Sequence, residues 1–220
     1  MNDTIPSPKL SWKLKNWHTV LLFSFILMIF YALGTYFFDF FAGTATKGFG
    51  IMGEVYGTGM FFIYMIGYFV SIIIILPILI IKRFGIGTAI YLPYAIIGFF
   101  VEYYYEWLLE STLISPWAAL GWAALGLVIG FSVDITYKYL SKRISLKIRS
   151  MIMGIVLGSA SFLFTLLALL FFYKEPLSVS PVDSGSYLGV AYFGLPWLLV
   201  NSGFGGFTAY TIFQGLKLNK

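Results

Sequence analysis

Six long apolar segments, almost free of charge, constrain the fold of this chain more than any other feature. A helix that spans the hydrocarbon layer of a membrane needs about 20 mostly apolar residues, and each segment reaches that length. Their apolar runs do not alternate with polar residues, as the strands of a membrane barrel would. We therefore predict an all-α membrane protein with six transmembrane helices, at 17–41, 58–81, 85–109, 116–140, 148–173 and 187–213.

The composition agrees with this prediction. Of the 220 residues, 60% are hydrophobic and 10% are charged, whereas soluble domains have roughly 45–50% apolar and about 25% charged residues. This excludes an ordinary soluble enzyme, a disordered chain and a nucleic-acid-binding module. No cleavable signal peptide is expected, since the first apolar run follows a basic start and lacks a small-residue cleavage site. We divide the chain into a cytosolic interfacial segment at 1–16, a six-helix transmembrane domain at 17–214 and a cytosolic tail at 215–220.

The residue types that build most redox and metal sites are missing. The sequence contains no cysteine and a single histidine, His18. Disulfides, iron–sulfur clusters, thiol nucleophiles and multi-histidine metal sites are therefore excluded for this chain alone. There is no Gly-rich phosphate-binding loop, so the chain does not hydrolyse ATP itself. We expect a protein that is not an enzyme and that carries no cofactor and no metal.

Basic residues divide unevenly between the two sides that six spans create. Only Lys47 and Lys174 of the 14 lysines and arginines fall on one side, which also holds seven of the nine acidic residues. Cytoplasmic loops carry an excess of lysine and arginine, so we predict a multi-pass protein of the cell membrane with both termini in the cytosol. This topology explains the +5 net charge without a nucleic-acid partner. The twelve residues predicted to be cytosolic are Lys9, Lys13, Lys15, Lys82, Arg83, Lys138, Lys142, Arg143, Lys147, Arg149, Lys217 and Lys220.

Acidic residues in the third span indicate a binding site. Glu102, Glu106 and Glu110 follow one another at intervals of four residues, so they form one slowly drifting stripe on a helix. Glu102 lies about 25 Å from the cytosolic end of the span, where a carboxylate must face a cavity or a partner. Glu106 and the ring of Trp107 would extend this acidic, aromatic pocket. The alternative is an aromatic belt at the membrane interface with solvated glutamates beside it, and we favour that interpretation for Glu110.

The sixth span offers groups that face such a pocket. Trp197 and Asn201 lie near the middle of this span, and a buried amide there needs a second helix or a ligand as its partner. Helix packing through Ser202 and the glycines up to Gly206 is the competing interpretation. With Tyr56 from the first outer loop as a lid, we predict an outward-facing site between the third and sixth spans. Its residues are Glu102, Glu106, Trp107, Trp197, Asn201 and Tyr56.

Small residues also recur in the fourth and fifth spans. Gly126 and Gly130, and likewise Gly154 and Gly158, are spaced to let helix backbones touch, either within this chain or against another subunit. Near the cytosolic end of the fourth span, Asp134 precedes Lys138 by four residues, which predicts an ion pair along the helix.

Five stretches together resemble a known family. They are LFSFILMIFY at 22–31, IKRFGIGTAI at 81–90, AIIGFFVE at 95–102, ALGLVIGFSVD at 124–134 and SGFGG at 202–206. In this combination the chain resembles the substrate-binding S component of an energy-coupling-factor transporter, closest to the thiamine or hydroxymethylpyrimidine type. It departs from the family in the first span, which lacks the Ala-x-x-x-Ala that many S components present to their partner. We expect the fourth and fifth spans to supply a small-residue face instead.

The resemblance implies a substrate-capture subunit in the lipid bilayer. It would bind a small, planar, vitamin-like ligand, cationic or neutral, from outside, while a transmembrane coupling subunit and two ATPase subunits supply the energy. One alternative is an accessory transmembrane subunit of a respiratory or oxygenase complex, in which the small-residue faces bind sister helices. Another is an intramembrane enzyme that modifies lipids or isoprenoids with carboxylates as acid and base.

Overall fold

The computed structural model describes residues 16–30, 67–109, 118–141, 143–172 and 181–218. Within these ranges the chain forms six helices and no strand, so the predicted all-α class is confirmed. A π-helical turn at 67–70 leads into the second helix. The helices are α1 (Asn16–Phe30), α2 (Ser71–Ile81), α3 (Ile86–Leu109), α4 (Ala118–Leu140), α5 (Leu146–Phe172) and α6 (Pro181–Leu218).

The predicted spans agree with these helices where both are described. The ends of α3, α4 and α5 differ by at most two residues from the third, fourth and fifth spans. Helix α6 is longer than predicted at both ends and continues through Pro196. The remaining parts of the first and second spans, at 31–41 and 58–66, lie outside the described residues.

Helices that follow one another in the sequence run in opposite directions. Phe30 at the end of α1 lies beside Phe69 at the start of the second helix, with ring centroids 5.7 Å apart. The start of α3 contacts the second half of α4, and the start of α5 contacts the second half of α6. Antiparallel neighbours are the arrangement that short connections favour. Consequently α2, α4 and α6 end, and α3 and α5 begin, at one end of the bundle.

Helix α2 forms the centre of this bundle. Its sequence is apolar on every face, which is typical of a helix that is buried all round. Seven of its residues between Ile73 and Leu79 are buried, and the helix packs against α3, α4, α5 and α6. Val20 and Leu27 of α1 join the same core.

Large apolar side chains cover the outside of the bundle, while several small polar ones lie inside. Among the described residues, one segment, Leu146–Leu163, is both long and apolar enough to cross a membrane, and three shorter helices are also apolar. The buried polar residues are Ser24, Ser71, Asp134, Ser150, Ser161 and Ser202. The exposed apolar residues include Leu21, Leu22, Phe25, Ile26 and Ile29 on α1, Leu92, Ile96, Ile97 and Phe100 on α3, Val128, Phe131 and Ile135 on α4, and Val200, Phe204 and Ile212 on α6.

Candidate functional site

A tight turn connects α2 to α3 and determines where α3 begins. Lys82 ends α2 in the left-handed conformation (φ 55°, ψ 40°), and its N–H donates to the carbonyl of Ile78 at 2.8 Å. Three residues later Gly85 has φ 90°, which a glycine adopts without the steric cost of a side chain. The turn therefore places the first backbone N–H groups of α3 against α4.

Asp134 of α4 accepts the hydrogen bonds that these groups donate. Its carboxylate oxygens accept the N–H of Gly87 at 2.9 Å, the N–H of Thr88 at 2.9 Å and the hydroxyl of Thr88 at 2.8 Å. First-turn N–H groups have no partner within their own helix, and a negative charge is favourable there. The fully buried Asp134 thus caps α3 from a neighbouring helix.

This contact corrects one sequence-based prediction. The expected ion pair between Asp134 and Lys138 is wrong, because the carboxylate points to the start of α3. The ammonium of Lys138 instead lies over the ring of Phe84, 5.1 Å from its centroid. Local spacing indicated the ion pair, whereas the actual partners, Gly87 and Thr88, lie 47 and 46 residues away in the sequence.

Helices α3 and α4 touch through glycines beside this cap. A Cβ atom on Gly87 would lie 2.9 Å from the carbonyl oxygen of Gly130, and one on Gly130 would lie 2.7 Å from the carbonyl oxygen of Gly87. Any side chain at either position would separate the backbones. The predicted close packing at Gly130 is confirmed, and its partner is a helix of the same chain.

Glycines hold α5 and α6 together over a longer distance. A Cβ atom on Gly154 or Gly158 would overlap Ser202, and one on Gly206 would overlap the carbonyl of Ser150. The predicted packing roles of Gly154, Gly158 and the 202–206 stretch are therefore confirmed.

This intrachain packing covers three of the four glycines that the sequence assigned to a small-residue face on the fourth and fifth spans. Gly130 is covered by α3, and Gly154 and Gly158 are covered by α6. These glycines do not remain available to a coupling subunit or to sister helices of a larger complex. The surroundings of Gly126 lie outside the described residues.

The residues of the predicted binding site are described only in part. Helix α3 is continuous, so Glu102 lies 15 residues beyond Gly87, about 22 Å along the helix axis. On α6, Trp197 is 61% exposed and Asn201 is half-buried. Helix α2 packs against both α3 and α6. Tyr56 and the side chains of Glu102, Glu106 and Trp107 lie outside the described residues, so this site stays a prediction.

Basic residues gather at the end of the bundle where α3 and α5 begin. Each of four cations there lies over an aromatic ring. For three of them the ring is on a different helix or turn, far away in the sequence, so the sequence did not indicate the contact. Arg143 lies over Tyr139 at 4.4 Å, and Lys147 lies over Phe207 at 5.0 Å. Lys138 and Arg149 lie over Phe84 and Tyr137. The residues Glu102 and Glu106 lie toward the opposite end of α3, so the bundle has a basic end and an end that carries acidic positions.

No family model, curated protein or solved structure matches the chain, so its residues and their geometry are the basis of the functional proposal.

Proposed function

We propose that this chain is a multi-pass membrane protein whose six helices cross the lipid bilayer. Support comes from the exposed apolar residues on α1, α3, α4 and α6, which lie in stripes along each helix. Soluble monomers rarely expose contiguous apolar patches of this extent. In a bilayer these side chains face lipid, while the glycine contacts bring helices together by close packing.

The basic end of the bundle faces the cytosol in this proposal. Its described lysines and arginines are at or beyond the ends of α2, α4 and α6 or in the first turns of α5. An excess of such residues beside the spans is the main determinant of orientation. Both chain termini then lie in the cytosol of a cell-membrane protein, and the acidic positions of α3 lie toward the outside.

Within this membrane we propose that the chain captures a substrate for an uptake transporter. It binds a small, planar, vitamin-like cation from outside, and a separate coupling subunit with ATPase subunits supplies the energy. The observation that carries this proposal is the position of Glu102. Asp134 anchors the start of α3 at the basic end, and Glu102 lies about 22 Å further on, still within a hydrocarbon layer of about 30 Å.

A carboxylate at that depth requires a compensating group. It is costly in hydrocarbon unless a cavity, a proton or a cation stabilises it. A thiamine-like ligand would supply a cationic ring and a flat pyrimidine, which suit a carboxylate beside aromatic faces. In this proposal Trp107 and Trp197 offer the rings, Asn201 a hydrogen bond, and Glu106 and Tyr56 complete the entrance.

The test compares two glutamates of the same stripe by titration calorimetry. Glu102→Gln retains the shape of the side chain and removes its charge. A lost charge-assisted contact costs about 1.5–3 kcal/mol, so affinity for thiamine should fall roughly tenfold to a hundredfold. Affinity for the neutral ligands hydroxymethylpyrimidine and riboflavin should change little. Glu110→Gln is the matched control, because Glu110 follows eight residues later in the sequence and is predicted to be solvated at the membrane interface. The affinity of this variant for thiamine should be unchanged.

Two results would contradict this function. Equal losses of thiamine affinity in Glu102→Gln and Glu110→Gln would mean that Glu102 has no specific role in the site. If the unmodified protein binds none of the three ligands, the capture function fails and the accessory-subunit alternative becomes the better one. Native mass spectrometry of gently purified protein then decides whether sister chains, rather than a small molecule, accompany it.

A further inference from the structure

One corner of the basic end joins cations directly to exposed aromatic side chains. The ammonium of Lys138 lies over the ring of Phe84, and the guanidinium of Arg143 lies 4.4 Å from the ring centroid of Tyr139. Phe84 in turn meets Phe131 edge to face, with centroids 6.0 Å apart. We call these five residues the basic corner. They come from α4 and from the turns on either side of the α3–α4 pair.

The basic corner lies at the end of an apolar surface. Phe84 is 45% exposed, Phe131 is 49% exposed and Tyr139 is 62% exposed. Phe131 belongs to the outward stripe of α4, together with Val128 and Ile135. The outer surface of α4 therefore changes from apolar to basic within about two helical turns.

No carboxylate in the described part of this corner neutralises its cations. Asp134 is the acid that lies nearby, and its oxygens accept bonds from Gly87 and Thr88. The charged groups of Lys138 and Arg143 lie over aromatic rings, and both residues are exposed. A ring face attracts a cation but leaves its charge in place. Two positive charges thus remain available to an anion.

We propose that the basic corner binds the phosphate of an anionic phospholipid whose acyl chains lie along the apolar stripe of α4. A phospholipid combines both features of this surface, because its phosphate and its acyl chains meet at the membrane interface. An acidic peptide or a free phosphate would match the charges but leave Phe131 and Ile135 uncovered. The inference requires that the bundle lies in a bilayer, and it does not depend on substrate capture.

Native mass spectrometry of the full chain in detergent tests this binding. The protein is titrated with dioleoylphosphatidylglycerol and, separately, with dioleoylphosphatidylcholine, which has the same acyl chains and no net charge. We expect tighter binding of phosphatidylglycerol, and a weakening as salt is raised. The double variant Lys138→Gln/Arg143→Gln should lose about fivefold per charge, or roughly 25-fold in total, for phosphatidylglycerol alone.

The matched control removes the same charge elsewhere. Lys47→Gln/Lys174→Gln lies on the predicted outer side and should leave phosphatidylglycerol affinity unchanged. Phe84→Leu keeps an apolar side chain but removes the ring that holds Lys138, so a loss of a few fold, again confined to phosphatidylglycerol, is expected. Circular dichroism establishes that each variant is folded.

Several outcomes would overturn the proposal. Equal affinity of the unmodified protein for the two lipids would mean that the charges of Lys138 and Arg143 do not contribute to lipid binding. A loss in the basic-corner variant no larger than in its control would place the site elsewhere. Displacement of phosphatidylglycerol by glycerol 3-phosphate or by poly-glutamate at similar concentrations would assign the surface to a soluble anion or an acidic protein. Thiamine binding is a separate readout, so failure of substrate capture and failure of this inference remain distinguishable.

Discussion

Two antiparallel helix pairs of this bundle are held together in different ways. Helices α5 and α6 contact each other at several successive points, where Gly154, Gly158 and Gly206 bring the backbones together. Helices α3 and α4 share one described glycine contact, between Gly87 and Gly130, and beside it the buried Asp134 caps α3. The first pair depends on shape along its length, whereas the second adds charge-assisted hydrogen bonds at one end.

The lipid setting that we propose explains why the two helix pairs use these two kinds of contact. Lipid is as apolar as a leucine side chain, so helices in a bilayer associate through close packing and hydrogen bonds rather than through the hydrophobic effect. Glycine allows the first mechanism, and a buried carboxylate that meets a helix N-terminus provides the second. The two pairs should therefore respond to different substitutions.

The largest effect is expected in the shape-dependent pair. A side chain on Gly154 would overlap the backbone of Ser202, and neither helix can yield without separating from the other. Gly154→Leu should destabilise the protein by about 3 kcal/mol or more, measured by thermal unfolding in detergent. Gly215→Leu on α6 is the control, because nothing lies within 4 Å of that position. If both variants unfold at the temperature of the unmodified protein, the glycine contact does not hold the pair.

The next effect concerns the polar cap. Asp134→Ala leaves two backbone N–H groups and the Thr88 hydroxyl without their acceptor, which should cost about 2–3 kcal/mol. The informative comparison is Lys138→Gln in zwitterionic detergent. An ion pair would make both substitutions destabilising, whereas the cap predicts a change below about 0.5 kcal/mol for Lys138→Gln. A large loss of stability in Lys138→Gln would contradict the cap and support the ion pair between Asp134 and Lys138.

A smaller effect tests a single bond of the cap. Thr88→Val retains the shape of the side chain and removes the hydroxyl that donates to Asp134 at 2.8 Å. One such hydrogen bond contributes about 1 kcal/mol. Thr211→Val is the matched control, since that exposed hydroxyl donates to the carbonyl of Phe207 within its own helix. Equal stabilities of the two variants would indicate that the Thr88 hydroxyl is dispensable.

The last prediction, of about the same size, distinguishes a glycine that is needed for its backbone conformation from one that is needed for close helix packing. Gly85 has φ 90° and nothing within 4 Å of a Cβ atom, so Gly85→Ala should cost about 1 kcal/mol through backbone conformation alone. The loss should be clearly less than that of Gly154→Leu, in which the cost is steric. A loss as large as that one would mean that the turn at 82–85 packs against residues outside the described ranges.

The sequence predicted those features that depend on local pattern. Long apolar runs located α3, α4 and α5 to within two residues of their ends. The spacing of Gly154 and Gly158 predicted that a backbone would approach them, though not that this backbone would be α6. Helix α6 proved longer than its apolar run, because a helix can continue through polar residues that hydropathy treats as a loop.

Features that depend on partners far apart in the chain were not predictable. Asp134 binds the start of α3, and a rule based on four-residue spacing assigned it to Lys138 instead. The rings beneath Lys147 and Arg149 lie on other helices. For the candidate site, the sequence predicted that Glu102 lies about 25 Å along the third span, and in the structure position 102 lies about 22 Å beyond Gly87 along α3. Which side chains surround Glu102 remains a prediction.

The orientation of the bundle in the membrane is the central claim, and labelling of single cysteines tests it most directly. The chain contains no cysteine, so Lys142→Cys and Asp183→Cys each introduce one reactive thiol. In intact cells a membrane-impermeant maleimide should label Asp183→Cys and not Lys142→Cys, which should react only after the membrane is permeabilised. Labelling of Lys142→Cys in intact cells, with Asp183→Cys protected, would contradict a cytosolic basic end and the outward-facing site built upon it.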